Sequence, residues 1–331
     1  MRFFITGATG FIGGYLTRRL IAGGNSVAAL VRTPARAADL AALGVELYEG
    51  DITDRESLRV PMTGADGIFH LAAWYKLGAR DTSMAERINV EGTRNVLSMM
   101  KDLGIPRGVY TSTIAVFSDT HGRIVDESYR YDGPHLSEYD RTKWLAHYDV
   151  ALPMIREGLP LVIVQPGLVY GPGDASAVRE TLVSYLKKQL PVAPQRTAYC
   201  WGFVEDMALG HILAMDAGRP GESYIIGGPQ HTLIDALKIA ERITGIGAPK
   251  IHVPPPLMRG MAGLMQALGA VLPLPEMYRA ETLRVTAGAT YLATNAKARR
   301  ELGFDPRPLE VGLRETLAYE MKCLGMTPRA T

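Results

Sequence analysis

The chain has 331 residues, of which 47% are hydrophobic and 21% charged, and its net charge is +2. That balance suits a globular enzyme of one fused unit, offers no basic excess for nucleic acid and points to no membrane partner. The two cysteines, Cys200 and Cys323, have neither metal-ligand spacing nor a disulfide framework, and a first strand beginning by about Arg2 leaves no room for a signal peptide, so a cytoplasmic location is expected.

The apolar run Phe3-Phe4-Ile5 is followed by Thr6-Gly7-Ala8-Thr9-Gly10-Phe11-Ile12-Gly13 and then by a helical stretch that ends near Gly23-Gly24. A strand, a glycine turn and a helix in that order form a cradle for a diphosphate. Gly7 permits positive φ, Gly10 permits close approach of backbone to the anion, and Gly13 permits the helix to pack on the strand. The glycine spacing is one residue longer than the usual dinucleotide fingerprint, and the other reading of the segment is a plain turn.

Strands are expected at Arg2–Thr6, Ser26–Arg32, Val45–Gly50, Gly67–Ala72, Arg107–Thr113, Leu161–Gln165 and Ser223–Gly227. Helices are expected between them at Phe11–Ala22, Pro34–Leu43, Thr82–Leu103, Glu138–Arg156 and Val178–Lys188. This alternation predicts an α/β fold with a doubly wound parallel sheet covered on both faces. After about Pro166 the rhythm loosens, with a helix at Ile234–Thr244 and loops such as Pro254-Pro255-Pro256. Residues 1–166, with a return segment near 203–228, are read as a dinucleotide-binding domain, and 167–331 mainly as a smaller C-terminal substrate-binding cap.

The second strand bears on the coenzyme. A reader of NAD places Asp or Glu about 20 residues beyond the glycine turn, where this chain has Arg32 with Arg36 following. A guanidinium pairs with a 2′-phosphate that a carboxylate would repel, which favours NADP(H) over NAD(H). The bland alternative is a solvated charge after an edge turn. Asp51, before Ile52, either accepts from an adenine amino group or caps the turn Asp51-Ile52-Thr53-Asp54.

Tyr139 and Lys143 are four apart on an expected helix that Ser137 can cap, so phenol and ammonium share one face. A neighbouring cation is expected to pull the phenol pKa down from about 10, readying it for proton transfer. Taken alone, the two residues also read as a surface pair. Pro153 is expected to kink the last turns or to end the helix early.

The glycine turn, Tyr139 with Lys143, and Thr111-Ser112-Thr113 together resemble the extended short-chain dehydrogenase/reductase family over nearly the whole chain. His70-Leu71-Ala72-Ala73, Asn89-Val90-Glu91-Gly92-Thr93 and Pro166-Gly167-Leu168-Val169-Tyr170-Gly171-Pro172-Gly173 extend the likeness, which implies a Rossmann-type fold. The resemblance assigns Thr113, with Ser112 as runner-up, to the reacting oxygen, Tyr139 to acid–base work, Lys143 also to the nicotinamide ribose, and Asn89 to a supporting place in the proton relay. It implies a coenzyme surface of Thr6, Gly7, Thr9, Gly10, Phe11, Ile12, Gly13, Arg32, Arg36, Asp51, Ile52, Leu71, Ala72, Ala73, Thr111, Tyr139, Lys143, Pro166, Gly167 and Val169. A homodimer formed through two helices is also implied.

Leu30-Val31-Arg32 and the tail 295–304 with Pro306-Arg307-Pro308 after it resemble dihydroflavonol-reductase-like and hydroxysteroid-dehydrogenase-like members, and sugar-nucleotide epimerases share much of this pattern. The activity expected is NADP(H)-dependent reduction of a hydrophobic or aromatic ketone or aldehyde, or oxidation of the alcohol. A sugar-nucleotide epimerase is the alternative, and a redox-sensing module is discounted because such modules tend to lack the tyrosine and lysine. Dehydration is discounted too, since apolar Ile114-Ala115 follows Thr113 where dehydratases carry Asp-Glu; Gln165 before Pro166 weakens the epimerase reading. Tyr75, Lys76, Tyr170 and Trp201 are candidates for the substrate pocket, or for packing. The methionine-rich run 257–268 either lines an adaptable pocket or packs as core.

Overall fold

The computed structural model describes residues 1–76, 79, 81–258, 260, 285 and 288–327. The first six strands are β1 (Arg2–Thr6), β2 (Ser26–Val31), β3 (Glu46–Glu49), β4 (Gly67–His70), β5 (Gly108–Thr111) and β6 (Leu161–Pro166). After them come β7 (Leu168–Tyr170), β8 (Val192–Pro194), β9 (Ala198–Phe203), β10 (Ser223–Ile226), β11 (Gln230–Thr232), β12 (Ile251–Val253) and β13 (Thr290–Tyr291).

A seven-stranded sheet runs in the order β10-β6-β5-β4-β1-β2-β3, and every neighbouring pair in it is parallel. Its strands are near-continuous apolar runs because both faces are covered. Ile5, Ala29, Phe69 and Val164 pack on one side with Leu16, Leu20, Met207 and Ala214. Phe4, Ala28, Tyr110 and Ile163 pack on the other with Val96, Leu97, Met100 and Val150. Strand order reverses between β1 and β4, and the crevice at such a point is where ligands bind in open α/β sheets.

All seven expected strands form, several of them shorter at their ends. The strand expected to reach Thr113 stops at Thr111, because Thr113 turns the chain out of the sheet by accepting a hydrogen bond from the Ala115 N–H at 3.1 Å. Two long helices expected as continuous are each interrupted by a wider π-helical turn. Arg87–Gly92 separates Ser83–Glu86 from Thr93–Asp102, and Ala146–Ala151 separates Glu138–Leu145 from Leu152–Arg156. The second widening precedes Pro153, whose ring and missing N–H conflict with regular helix bonding; the helix widens there rather than stopping.

The return segment supplies β10, paired with β6, and the helix Val204–Ala217, which packs on Phe11–Ala22. The remaining C-terminal part is more ordered than its loosened sequence rhythm suggests. β9 pairs with β7, β11 and β13, and β12 pairs with β8. The helices Ala177–Leu186, Leu233–Thr244 and Leu309–Cys323 enclose a separate core containing Leu182, Tyr185, Leu237 and Leu313. Among the described residues no helix is long and apolar enough to cross a membrane. Residues 259 and 261–268 of the methionine-rich run lie outside the described residues.

Candidate active site

The carboxyl ends of β1, β4, β5 and β6 open onto a cavity of about 490 Å³. Its floor on one side is the glycine turn. Gly7 has φ +78°, and a Cβ there would lie 2.7 Å from the Ala72 nitrogen; a Cβ on Gly13 would lie 2.0 Å from the Gly7 carbonyl oxygen. Neither position accepts a side chain. The helix Phe11–Ala22 starts with no side-chain cap and no acidic residue in its first turn, so its N–H groups and dipole are left for an anion. These features fit a dinucleotide diphosphate.

Gly7, Gly10, Phe11, Ile12, Gly13, Leu71, Ala73, Thr111, Gly167 and Val169 line the cavity, whereas Thr9 is exposed on the turn. Three expected coenzyme contacts lie just beneath it. Thr6 pairs its hydroxyl with His70 Nδ1 at 2.7 Å, Ala72 abuts Gly7, and Pro166 is buried at the end of β6. A Cβ on Gly167 would meet the Cys200 carbonyl oxygen at 2.2 Å, so only glycine fits where β6 leaves the sheet.

Arg32 and Arg36 are exposed beyond β2 and make no ion pair among the described residues. Asp51 takes the turn role, its Oδ1 accepting from the Thr53 N–H at 2.9 Å. The coenzyme assignment of Ile52 needs correction at the side chain, which is 6% exposed and packed against Gly92 in the core.

The helix Glu138–Leu145 brings Tyr139 to the opposite wall, with Ser137 capping it through the Asp140 N–H at 3.0 Å. Thr113 shares that wall, and its hydroxyl faces the phenol. Ser112 points away and pairs with His147 Nδ1 at 2.8 Å. Lys143 is 2% exposed; its Nζ donates to the Thr111 carbonyl at 2.7 Å and to Tyr110 Oη at 3.1 Å.

The expectation of a depressed phenol pKa is therefore corrected. Burial pushes Tyr139 well above its ordinary value of 10.0, Tyr75 adds to the rise, and the Thr113 hydroxyl opposes it. The Lys143 ammonium is committed elsewhere, and burial brings its own pKa down to about 7. Asn89, in the first π-helical turn, accepts from the Trp74 N–H at 2.7 Å and donates to Thr142 Oγ1 at 2.9 Å. Its side chain thus braces the helix Glu138–Leu145 against the segment after β4.

On the substrate side, Tyr75 is 46% exposed and meets the Tyr139 ring edge-on at 4.8 Å, while Lys76 is exposed and lies off the cavity. For Tyr170 and Trp201 the packing alternative holds. They are 1% and 2% exposed, lie edge-to-face at 5.8 Å, and sit in the core of the smaller unit, where Trp201 Nε1 donates to the His231 carbonyl. Tyr199, two residues before Trp201, reaches the cavity instead. It is joined there by Ile114, Ala115, Asp140, Asp174, Ser176, Val285 and Tyr291, none of which was singled out as a site residue. Tyr199 stacks on Tyr291 at 6.0 Å, a pairing of β9 with β13 that spans too much chain to be read locally.

The model of a family described as NAD dependent epimerase/dehydratase matches residues 3–227. A Synechocystis sp. protein provisionally named dihydroflavonol 4-reductase is 34% identical over 96% of this chain and 94% of its own length. From Stigmatella aurantiaca, 4-hydroxy-2-methyl-3-oxo-4-farnesyl-3,4-dihydroquinoline-1-oxide ketoreductase is 32% identical over 93% of this chain and 92% of its own. The crystal structure of gox2253 superposes with a TM-score of 0.85 at 28% identity, covering 98% of this chain and 99% of that one.

Proposed function

This chain belongs to the NAD dependent epimerase/dehydratase family, and we propose that within it the protein is an NADP(H)-dependent carbonyl reductase for a hydrophobic or aromatic ketone or aldehyde, also working in reverse on the alcohol. One observation carries the substrate side: beside Asp140, Asp174 and Ser176, the described wall around Tyr139 is built from the apolar and aromatic side chains of Ile114, Ala115, Tyr75, Tyr199, Val285 and Tyr291. Such a surface gains by covering apolar area and offers no guanidinium or ammonium to a sugar nucleotide's phosphates. The ketoreductase name of the Stigmatella relative agrees with this reading.

Bound above the glycine turn, the nicotinamide coenzyme would supply or accept the hydride. Gly7, Gly10 and Gly13 would hold its diphosphate, and Arg32 with Arg36 would pair with a 2′-phosphate. Tyr139 and Thr113 hold the carbonyl oxygen from one side. Tyr139 is a protonated phenol at neutral pH, and its Oη–H is placed to donate to the oxygen as negative charge develops there. The third Lys143 N–H, beyond the two held by Tyr110 and Thr111, is left to orient a ribose hydroxyl.

Purified protein tests the reading in an assay of NADPH and NADH oxidation across aromatic aldehydes, hydrophobic ketones and UDP-sugars, with Arg32→Asp alongside. Stoichiometric NADPH oxidation by a carbonyl compound, with preference moving toward NADH in the variant, is the expected result. Bound oxidised coenzyme with interconversion of a UDP-sugar and no net redox change would establish the epimerase reading instead. An unchanged coenzyme preference in Arg32→Asp would remove the basis for NADP(H).

A further inference from the structure

Lys143 presents a physical problem that the proposed chemistry does not address. An ammonium 2% exposed needs compensation for its lost hydration, yet Lys143 makes no ion pair among the described residues. The titratable groups around it add little favourable charge. His70 on β4 and His147 on the second π-helical turn are buried and held neutral, with pKa values near 3.

Compensation comes from β5, where the Thr111 carbonyl accepts from Nζ at 2.7 Å and Tyr110 supplies the rest. Lys143 Nζ lies 4.7 Å from the centroid of the Tyr110 ring and donates to the hydroxyl of the same tyrosine at 3.1 Å. An aromatic face within about 6 Å of a cation attracts it through the ring quadrupole, most strongly where water is excluded. Tyr110 is itself 1% exposed and fixed from behind. The His70 ring stacks on it at 5.5 Å, and His70 is held at both nitrogens, by Thr6 Oγ1 at 2.7 Å and Thr93 Oγ1 at 3.0 Å.

We propose that Tyr110 is the positioning residue for Lys143, presenting both ring face and hydroxyl so that a buried cation is held at the carboxyl end of β5 without a carboxylate. The inference rests on the reductase reading only for the cation's purpose; the Tyr110–Lys143 contact itself stands without it. The arrangement has a functional consequence. A carboxylate beside Lys143 would add a full negative charge at the carboxyl end of β5, whereas an aromatic face stabilises the ammonium without one and leaves the site's positive charge uncancelled for a ribose hydroxyl.

The test reads the ammonium directly. In coenzyme-free protein labelled at lysine 13Cε, one resonance disappears in Lys143→Met and is thereby assigned. In wild type it is expected to titrate near neutral pH, in keeping with a Lys143 pKa of about 7. In Tyr110→Leu its midpoint should move down by about one pH unit, the size expected for loss of a desolvated cation–π contact. Tyr110→Phe keeps the ring and is expected to show a smaller downward movement, which preserves the test if the leucine variant does not fold. NADPH affinity measured by fluorescence should weaken several-fold at pH 7.5 in Tyr110→Leu and recover toward pH 5, where the ammonium is again charged. Unchanged titration midpoints in both variants would overturn the proposal whatever the enzyme's substrate; a normal Tyr110 effect in a protein that reduces no carbonyl compound would overturn the reductase reading alone.

Discussion

The Tyr291 hydroxyl donates to Asp140 Oδ2 at 3.0 Å, tying β13 of the smaller unit to the residue that directly follows Tyr139 in the chain. Both residues line the cavity, so one hydrogen bond joins the wall supplied by β13 to the helix Glu138–Leu145. In Tyr291→Phe, stability should fall by about 1–3 kcal/mol, the range for removing a hydrogen bond to a buried polar group. Carbonyl KM should rise more than kcat falls. Urea unfolding and steady-state kinetics check both, and a variant with wild-type stability and KM would show that the two units register through other contacts.

Tyr139→Phe is expected to lower kcat by about 10²–10⁴-fold, the usual contribution of a positioned proton donor, with NADPH affinity within a factor of about two of wild type. The ring remains against Tyr75, so packing is retained. Full turnover in this variant would remove Tyr139 from the acid role.

Gly13→Ala should weaken NADPH binding by about tenfold or more and cost about 1–3 kcal/mol of stability, because its Cβ would sit 2.0 Å from the Gly7 carbonyl oxygen and force the turn open. Gly247→Ala is the control, with no atom within 4 Å of the added carbon. A fluorescence titration separates the two, and equal affinities would mean that the turn yields without consequence.

Acid stability follows from the buried imidazoles. Burial holds His70 and His147 neutral, with Lys143 contributing, and lowers their pKa values to about 3 from 6.5; burial lowers His211 to about 4. Between those values and 6.5 the unfolded chain binds the protons that the folded protein refuses, so stability should fall as pH drops through that window. His147→Gln should flatten the slope of unfolding free energy between pH 6 and pH 4 by about 1.4 kcal/mol per pH unit, the linkage of one proton. Denaturant titrations at several pH values measure it; an unaltered slope would mean that His147 takes up its proton in place.

The parallel sheet and the glycine turn were legible because both are local. Apolar runs such as Leu161–Val164 repeat between helical patterns, and the φ of +78° at Gly7 belongs to a conformation that glycine adopts at little cost. The pairing of Tyr139 with Lys143 on one helix was legible for the same reason, since helix geometry places residues four apart together. Other side chains were not legible, because their surroundings come from distant chain. Tyr170 and Trp201 read equally as pocket or as packing aromatics, and helices 233–244 and 309–323 close over them, while Tyr199 and Tyr291 reach the cavity from strands more than ninety positions apart.

Backbone conformation and residue periodicity are written in short stretches of chain, and from these the sequence by itself determined the sheet, the anion cradle and the face on which phenol and ammonium lie. Tertiary structure alone decided where the ammonium points and which aromatic rings face the cavity. The order β4-β5-β6 puts Tyr110 beneath Lys143 and His70 behind Tyr110, and the free energy of a buried charge depends on such neighbours, which no local pattern encodes.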